Sequence, residues 1–132
     1  MSRPSFRQRR LEEADAAYQA HIDGGFPVTL SGIAETLQVG TVEQRSDWLI
    51  FKGAIDDAVG DGAQPADPVA VPIRTTSNNN YTVTFSEAQT MIANMRTWGF
   101  AARVNCWRLK DLISAATTGE QLNAVDLMQG WP

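Results

Sequence analysis

One cysteine and one histidine in 132 residues leave little material for thiol or metal chemistry. Cys106 has no second cysteine to pair with, so an internal disulfide is excluded and the redox compartment stays open. Its neighbours Asn105 and Trp107 suggest a packed helix position, where a lone cysteine behaves as a small hydrophobe. A metal site needs several His, Cys or carboxylate ligands at short spacing, and His21 stands alone near the end of the first expected helix. A protonated imidazole there would favour the helix dipole. No run reaches the roughly 18 apolar residues of a membrane span, so no membrane insertion is expected. The N-terminal arginines have no apolar stretch behind them, which argues against a secretory signal and for synthesis in a cytoplasm. Basic residues are also in deficit, 11 against 15 acidic, which argues against a general nucleic-acid partner. The local exception is Arg3, Arg7, Arg9 and Arg10. These oppose the dipole of a helix that starts among them, and pairing of the Arg9–Glu13 type at i,i+4 would offset that cost.

The constellations of known catalysis are missing as well. No Gly-x-Ser-x-Gly elbow accompanies the single histidine. Gly53 and the Gly60-Asp61-Gly62 run match no nucleotide or dinucleotide loop. Glu12-Glu13 and Asp56-Asp57 are sequence neighbours on expected helices, and neighbours on a helix do not face each other, so neither makes a shared carboxylate dyad. The chain is therefore read as a non-enzyme with no cofactor and no catalytic or metal-binding residues.

What is present is an ordinary globular composition, 43% hydrophobic and 20% charged. Residues 1–132 read as one domain, long enough to bury a core without metal or disulfide. Its expected parts are a helix–hairpin–helix half over 1–60, a loop over 61–72 and a hairpin–long helix–short helix half over 73–132. Residues 3–23 read as a helix with Leu11, Ala14, Tyr18 and Ile22 on one stripe, closed by Gly24-Gly25. Residues 26–38 alternate around Ser31-Gly32 as a hairpin. Thr41 to Gln44 form a capping box before a helix that should bury Trp48, Phe51, Ile55 and Val59. Val69, Val71 and Ile73 alternate toward a strand, Ser77 to Asn80 suit a tight turn, and Tyr81, Val83 and Phe85 alternate again, giving a second hairpin. The fold class is α+β: two β-hairpins forming a small antiparallel sheet, packed with three main helices and a short C-terminal helix.

Ser86 to Gln89 form another capping box, opening a long helix to about residue 115. Ala88, Ile92, Met95, Gly99, Ala102, Cys106, Leu109 and Ile113 are spaced alternately by four and three, a seam of about three and a half heptads. Packing within the chain is the simpler reading. Its small residues would equally admit a second subunit, and Gly99 is a place for the helix to break. Thr118 to Gln121 make a third box, before a short helix to about Val125 with Leu122, Val125 and Leu127 inward. Four tryptophans stand at 48, 98, 107 and 131. Trp48 fits the core. Trp131, one residue from the end, needs a dock, and its own domain is the first choice. The candidate interface comprises Trp98, Trp107, Trp131, Met95, Gly99 and Ala102.

The run from Ile73 to Gln89, then Trp107-Arg108-Leu109-Lys110-Asp111-Leu112-Ile113, Ala115 to Leu122 and the terminal Gly130-Trp131-Pro132, resembles an uncharacterised small domain of bacteriophage and prophage tail-fibre and tail-associated proteins. An Arg-rich helix, the Thr-Leu-Ser-Gly turn and a helix over 41–59 are similar too, so the resemblance spans about residues 10–132. It implies no catalytic residues. It implies a virion structural protein of the tail tip, baseplate or fibre, made in the host cytoplasm and resident in the virion. Its partners would be other phage tail proteins and copies of itself, as a trimer or a multiple of three, with a host surface receptor as a further candidate. Members often end longer fibres, whereas this sequence begins at Met1, which favours a stand-alone part. Two alternatives are a tail-fibre assembly chaperone absent from the mature particle and an adhesin module that stacks tryptophan on host-surface glycans.

Overall fold

The computed structural model describes residues 5–132. The element order is α1 (Phe6–Asp23), β1 (Phe26–Leu30), β2 (Ile33–Leu37), α2 (Val42–Gly60), β3 (Ile73–Arg74), β4 (Asn80–Tyr81), α3 (Phe85–Ala115) and α4 (Gly119–Ala124). This is the α+β class expected from the sequence, with two separate two-stranded antiparallel sheets. The chain divides into two compact units. One comprises the chain up to Ile22 together with Trp98–Pro132, and the other is Asp23–Thr97. The expected loop over 61–72 thus lies inside the second unit, and α3 contributes to both.

In the first unit, α1 begins where the Ser5 hydroxyl accepts from the Gln8 amide, a helix-start cap. Arg3 and Pro4 lie outside the described residues. The stripe read from the sequence faces inward, with Ala14 and Ile22 buried and Leu11 and Tyr18 half-buried. Ala14 packs with Leu109, Ile113, Ala116 and Leu122 in one apolar cluster, with Leu11, Val125, Leu127 and Trp131 against it. The later part of the heptad seam is therefore this unit's core. Gly99 does not interrupt α3, because packing on both sides of it outweighs the local cost of a glycine. The third capping box is only half formed. Thr118 Oγ1 accepts from the Gln121 amide, but the Gln121 carbonyl oxygen turns to the amide and hydroxyl of Thr117. The helix it opens stops at Ala124, one residue short of the expectation.

In the second unit, β1 and β2 pair from Phe26↔Leu37 to Leu30↔Ile33. Both turn residues, Ser31 and Gly32, have positive φ, the geometry that matches the twist of a two-residue hairpin. The Thr41–Gln44 capping box is complete. On α2 only Ile55 is buried. Trp48 and Phe51 are half-buried, and Val59 is exposed, against expectation, because it follows the last turn that packs inward. Trp48 satisfies its indole N–H on the Gln38 carbonyl, 2.9 Å away.

The second hairpin is shorter than its alternation suggested. β3 and β4 hold two residues each. Val71 is exposed, and Val69 donates instead to the Val83 carbonyl. Phe85 belongs to the helix. Its cap also sits two residues earlier than expected. The Thr84 hydroxyl accepts from the Glu87 amide while the Glu87 carboxylate accepts from the Thr84 amide. Thr84-Phe85-Ser86-Glu87 satisfies the same pattern as Ser86 to Gln89, and it alone leaves Phe85 free to point into the core.

Candidate interaction surfaces

The long-range polar contacts of each unit tie its own chain together. In the second unit, Glu35 on β2 sits opposite the 75–81 turn. Its carboxylate accepts from Ser77 Oγ at 2.6 Å, Tyr81 Oη at 2.7 Å, Asn79 Nδ2 at 3.1 Å and Thr75 Oγ1 at 3.2 Å. These hydrogen bonds, Ser77's first and Tyr81's next, hold its pKa at about 2. The same bond pushes the Tyr81 phenol up. The Thr76 amide donates to the Thr36 carbonyl, and the two threonine hydroxyls bond each other. Asn78 supplies the positive φ of the turn. This node ties one hairpin to the other across sequence separations of about forty residues, which no local motif signals. Its carboxylate is held by four donors, an anchoring arrangement.

In the first unit, the N-terminal arginines close helix ends. Arg7 donates to the Ala116 carbonyl at 2.6 Å, and Arg10 donates to the Leu122 carbonyl within α4 and the Val125 carbonyl just beyond it. Carbonyls at helix C-termini lack intrahelical partners, and guanidinium donors suit them. The expected Arg9–Glu13 pair is not the one formed. Glu13 pairs with Arg10 at 2.6 Å, and Arg9 lies over the Phe6 ring. Arg10 reaches inward past Glu13, so the carboxylate meets it first.

His21 lies in the last turn of α1, as expected, and against two tryptophans. Its ring stacks on Trp131 at 5.4 Å and lies 5.2 Å from Trp98. Trp131 docks on its own unit, as expected, and donates its indole N–H to the Leu127 carbonyl. Asn105 and Arg108 both donate to the Gln129 carbonyl and hold the terminal segment. Gly130 has φ +88°, and a side chain there would collide with Asn105 Oδ1. Cys106 is buried, and burial, followed by the nearby Asp15 carboxylate, raises its thiol pKa. That leaves a poor nucleophile.

These placements divide the six candidate interface residues. Ala102 and Trp98 are buried within the first unit, so the chain itself already covers them. Gly99, Met95 and Trp131 are half-buried. Only Trp107 stands open, at 53% exposure. It belongs to a second apolar stripe on α3, with Phe100 (65% exposed), Val104 and Leu112. Phe100, Val104 and Trp107 fall at i, i+4 and i+7, hence on one face. The buried Ala102, Cys106, Leu109 and Ile113 occupy the opposite face. A shallow groove of about 540 Å³ runs along Val104, Trp107, Arg108, Asp111, Leu112 and Ala115. The seven-residue periodicity drew attention to the inner seam. The outer stripe was legible only as the hydrophobes left over from it.

A comparable face exists on α2, where Leu49 (70%) and Ile50 (71%) are exposed beside Val42. Among the described residues there is no group of three or more His, Cys, Asp or Glu placed to hold a metal ion, and no helix is long and apolar enough to cross a membrane.

The fold and these surfaces define a small α+β protein with exposed apolar side chains on the outer faces of α2 and α3. A family model described as a domain of unknown function (DUF4376) matches residues 5–127. The chain belongs to that family. No curated protein and no solved structure matches the chain.

Proposed function

We propose that this chain is a structural protein of the tail of a tailed bacteriophage, a tail-tip, baseplate or fibre component that acts by protein–protein assembly and not by catalysis. The observation that carries the assembly reading is the outer stripe of α3. Phe100, Val104 and Trp107 are exposed on the side of the helix away from its core, and Leu112 borders the groove that Val104 and Trp107 line. Patches of this kind mark interaction sites on folded proteins. The tail setting rests on the resemblance of residues 73–89, 107–122 and 130–132 to domains of tail proteins. Partners are then other tail proteins and further copies of the chain, in threes or multiples of three. No nucleic acid and no cofactor takes part.

Mass spectrometry of washed particles should find the protein at a fixed copy number. A protein never found in particles, whose gene deletion nevertheless yields particles without fibres, would instead be an assembly chaperone.

A second reading has one specific support. Trp107 is exposed on the same groove as Arg108 and Asp111, an arrangement that suits a sugar ring stacked on an indole with polar groups beside it. Binding of soluble host polysaccharide, lost in Trp107→Ala, would favour the adhesin reading over assembly at this face.

A further inference from the structure

The two exposed apolar helix faces differ in charge. On α2, carboxylates outnumber cations: Glu43, Asp47, Asp56 and Asp57 against Arg45 and Lys52. Lys52 is already paired with Asp56, at 2.5 Å. Among the described residues, Glu43 and Asp57 have no ion-pair partner. On residues 98–115 of α3 the balance is reversed: Lys110 is paired with Asp15 at 3.0 Å, which leaves Arg103 and Arg108 against Asp111. Arg103 lies over the Tyr18 ring and has no carboxylate among the described residues.

Size and shape also match. The α3 stripe runs over residues 100–112, about 18 Å of helix, and the α2 face over residues 42–53, about 16 Å. Four large side chains, each about half exposed or more, leave on the order of 400 Å² of apolar surface on α3. A standard interface takes about 800 Å² from each partner, somewhat over half of it non-polar. The patch is therefore the right size for the core of one such contact. Gly53 lies between Leu49 and Ile50 one turn on, and the space above it is open.

From this juxtaposition we infer that the chain self-associates head to tail, the α3 stripe of one copy seated on the α2 face of the next. Joining two α2 faces would oppose acidic rims, and joining two α3 faces would oppose mostly basic ones. The mixed pairing is the one that complements charge. A contact between two different patches is met by a reciprocal pair, a ring or a filament, and in each of them every contact joins one α3 stripe to one α2 face. The inference deepens the assembly reading and needs no phage setting. It concerns solution behaviour of the isolated chain, so its failure leaves the particle experiment untouched.

The test is the molar mass of the full chain by light scattering, in a concentration series into the hundreds of micromolar, at low and high salt. Wild type is expected to self-associate as concentration rises, and high salt to weaken association about ten-fold. Leu49→Asp and Trp107→Asp are each expected to be monomeric, with Phe100→Ser as a milder α3 variant and thermal melts to confirm that each folds. An equimolar mixture of Leu49→Asp and Trp107→Asp retains one intact α3 face and one intact α2 face, so it should form heterodimer and stop there. Wild type that stays monomeric throughout overturns the inference. So does Leu49→Asp that associates like wild type, or a mixture that stays monomeric.

Discussion

The first unit is held by apolar packing sealed with arginine, and the second by a buried hairpin face with a carboxylate node at its edge. In the first, Leu109 and Ile113 are fully buried, Arg7 bonds the carbonyl that follows α3, and Arg10 bonds those at the end of α4. In the second, Leu37, Ile55 and Ile73 form the apolar part, but short strands leave the register of the 75–81 turn to Glu35. The difference teaches where each unit is vulnerable. Apolar packing is insensitive to pH, whereas a node built on one ionised carboxylate is not. In both, inward-facing polar groups bond their own chain, which leaves the outer apolar faces as the surfaces free to act.

Several substitutions sharpen that contrast, beginning with the deepest. Ile113→Ala should destabilise the first unit by about 2–5 kcal/mol, through lost burial and the cavity left behind. Chemical denaturation that shows less than about 1 kcal/mol would mean the cluster around Ala14 does not carry this unit. Trp131→Ala removes a half-buried ring stacked on His21 and should cost about 2–3 kcal/mol, less than a fully buried tryptophan. An unchanged melting temperature would show the C-terminal segment to be a free tail. Arg10→Ala leaves the Leu122 and Val125 carbonyls without their guanidinium and should cost about 1–3 kcal/mol. Arg10→Lys should recover only part, because an ammonium cannot reproduce the planar fork.

Glu35→Gln tests the other side. It keeps the shape of the node and removes its charge. The folded pKa of Glu35, about 2, lies below its ordinary 4.5. Its contribution is therefore fully present above about pH 4.5 and is lost as pH falls toward 2. Wild type should lose urea resistance across that window more steeply than Glu35→Gln, and parallel pH profiles would contradict the node. The smallest effect belongs to the outer faces. Leu49→Ser should shift the stability of the monomer by no more than about 0.5 kcal/mol, and a larger loss would make that face part of the fold.

Much of this architecture could be read in the chain. Side chains that signal locally were legible: Thr41 with Gln44, Ser31 with Gly32, and the seam from Ala102 to Ile113. The docking of Trp131 followed from the improbability of a free terminal indole. Where two overlapping patterns competed, local reading chose the wrong one, as at Ser86, because only the core decides that Phe85 must be inside the helix. The alternation from Val69 to Phe85 overstated the second hairpin because its inward residues serve irregular backbone and not a ladder. Glu35 was invisible, since its four donors lie about forty residues away and none is unusual alone. The outer stripe of α3 needed the buried face to be located first.

The contrast between the units is tested most directly by hydrogen exchange, read by mass spectrometry on wild type and Glu35→Gln at neutral pH and near pH 2, with intrinsic rates corrected. At the lower pH wild-type amides around residues 73–81 should lose protection while those of residues 102–113 keep theirs, and Glu35→Gln should show the same local loss already at neutral pH. Uniform loss across both units, or a Glu35→Gln protein protected like wild type at residues 73–81, would contradict the account.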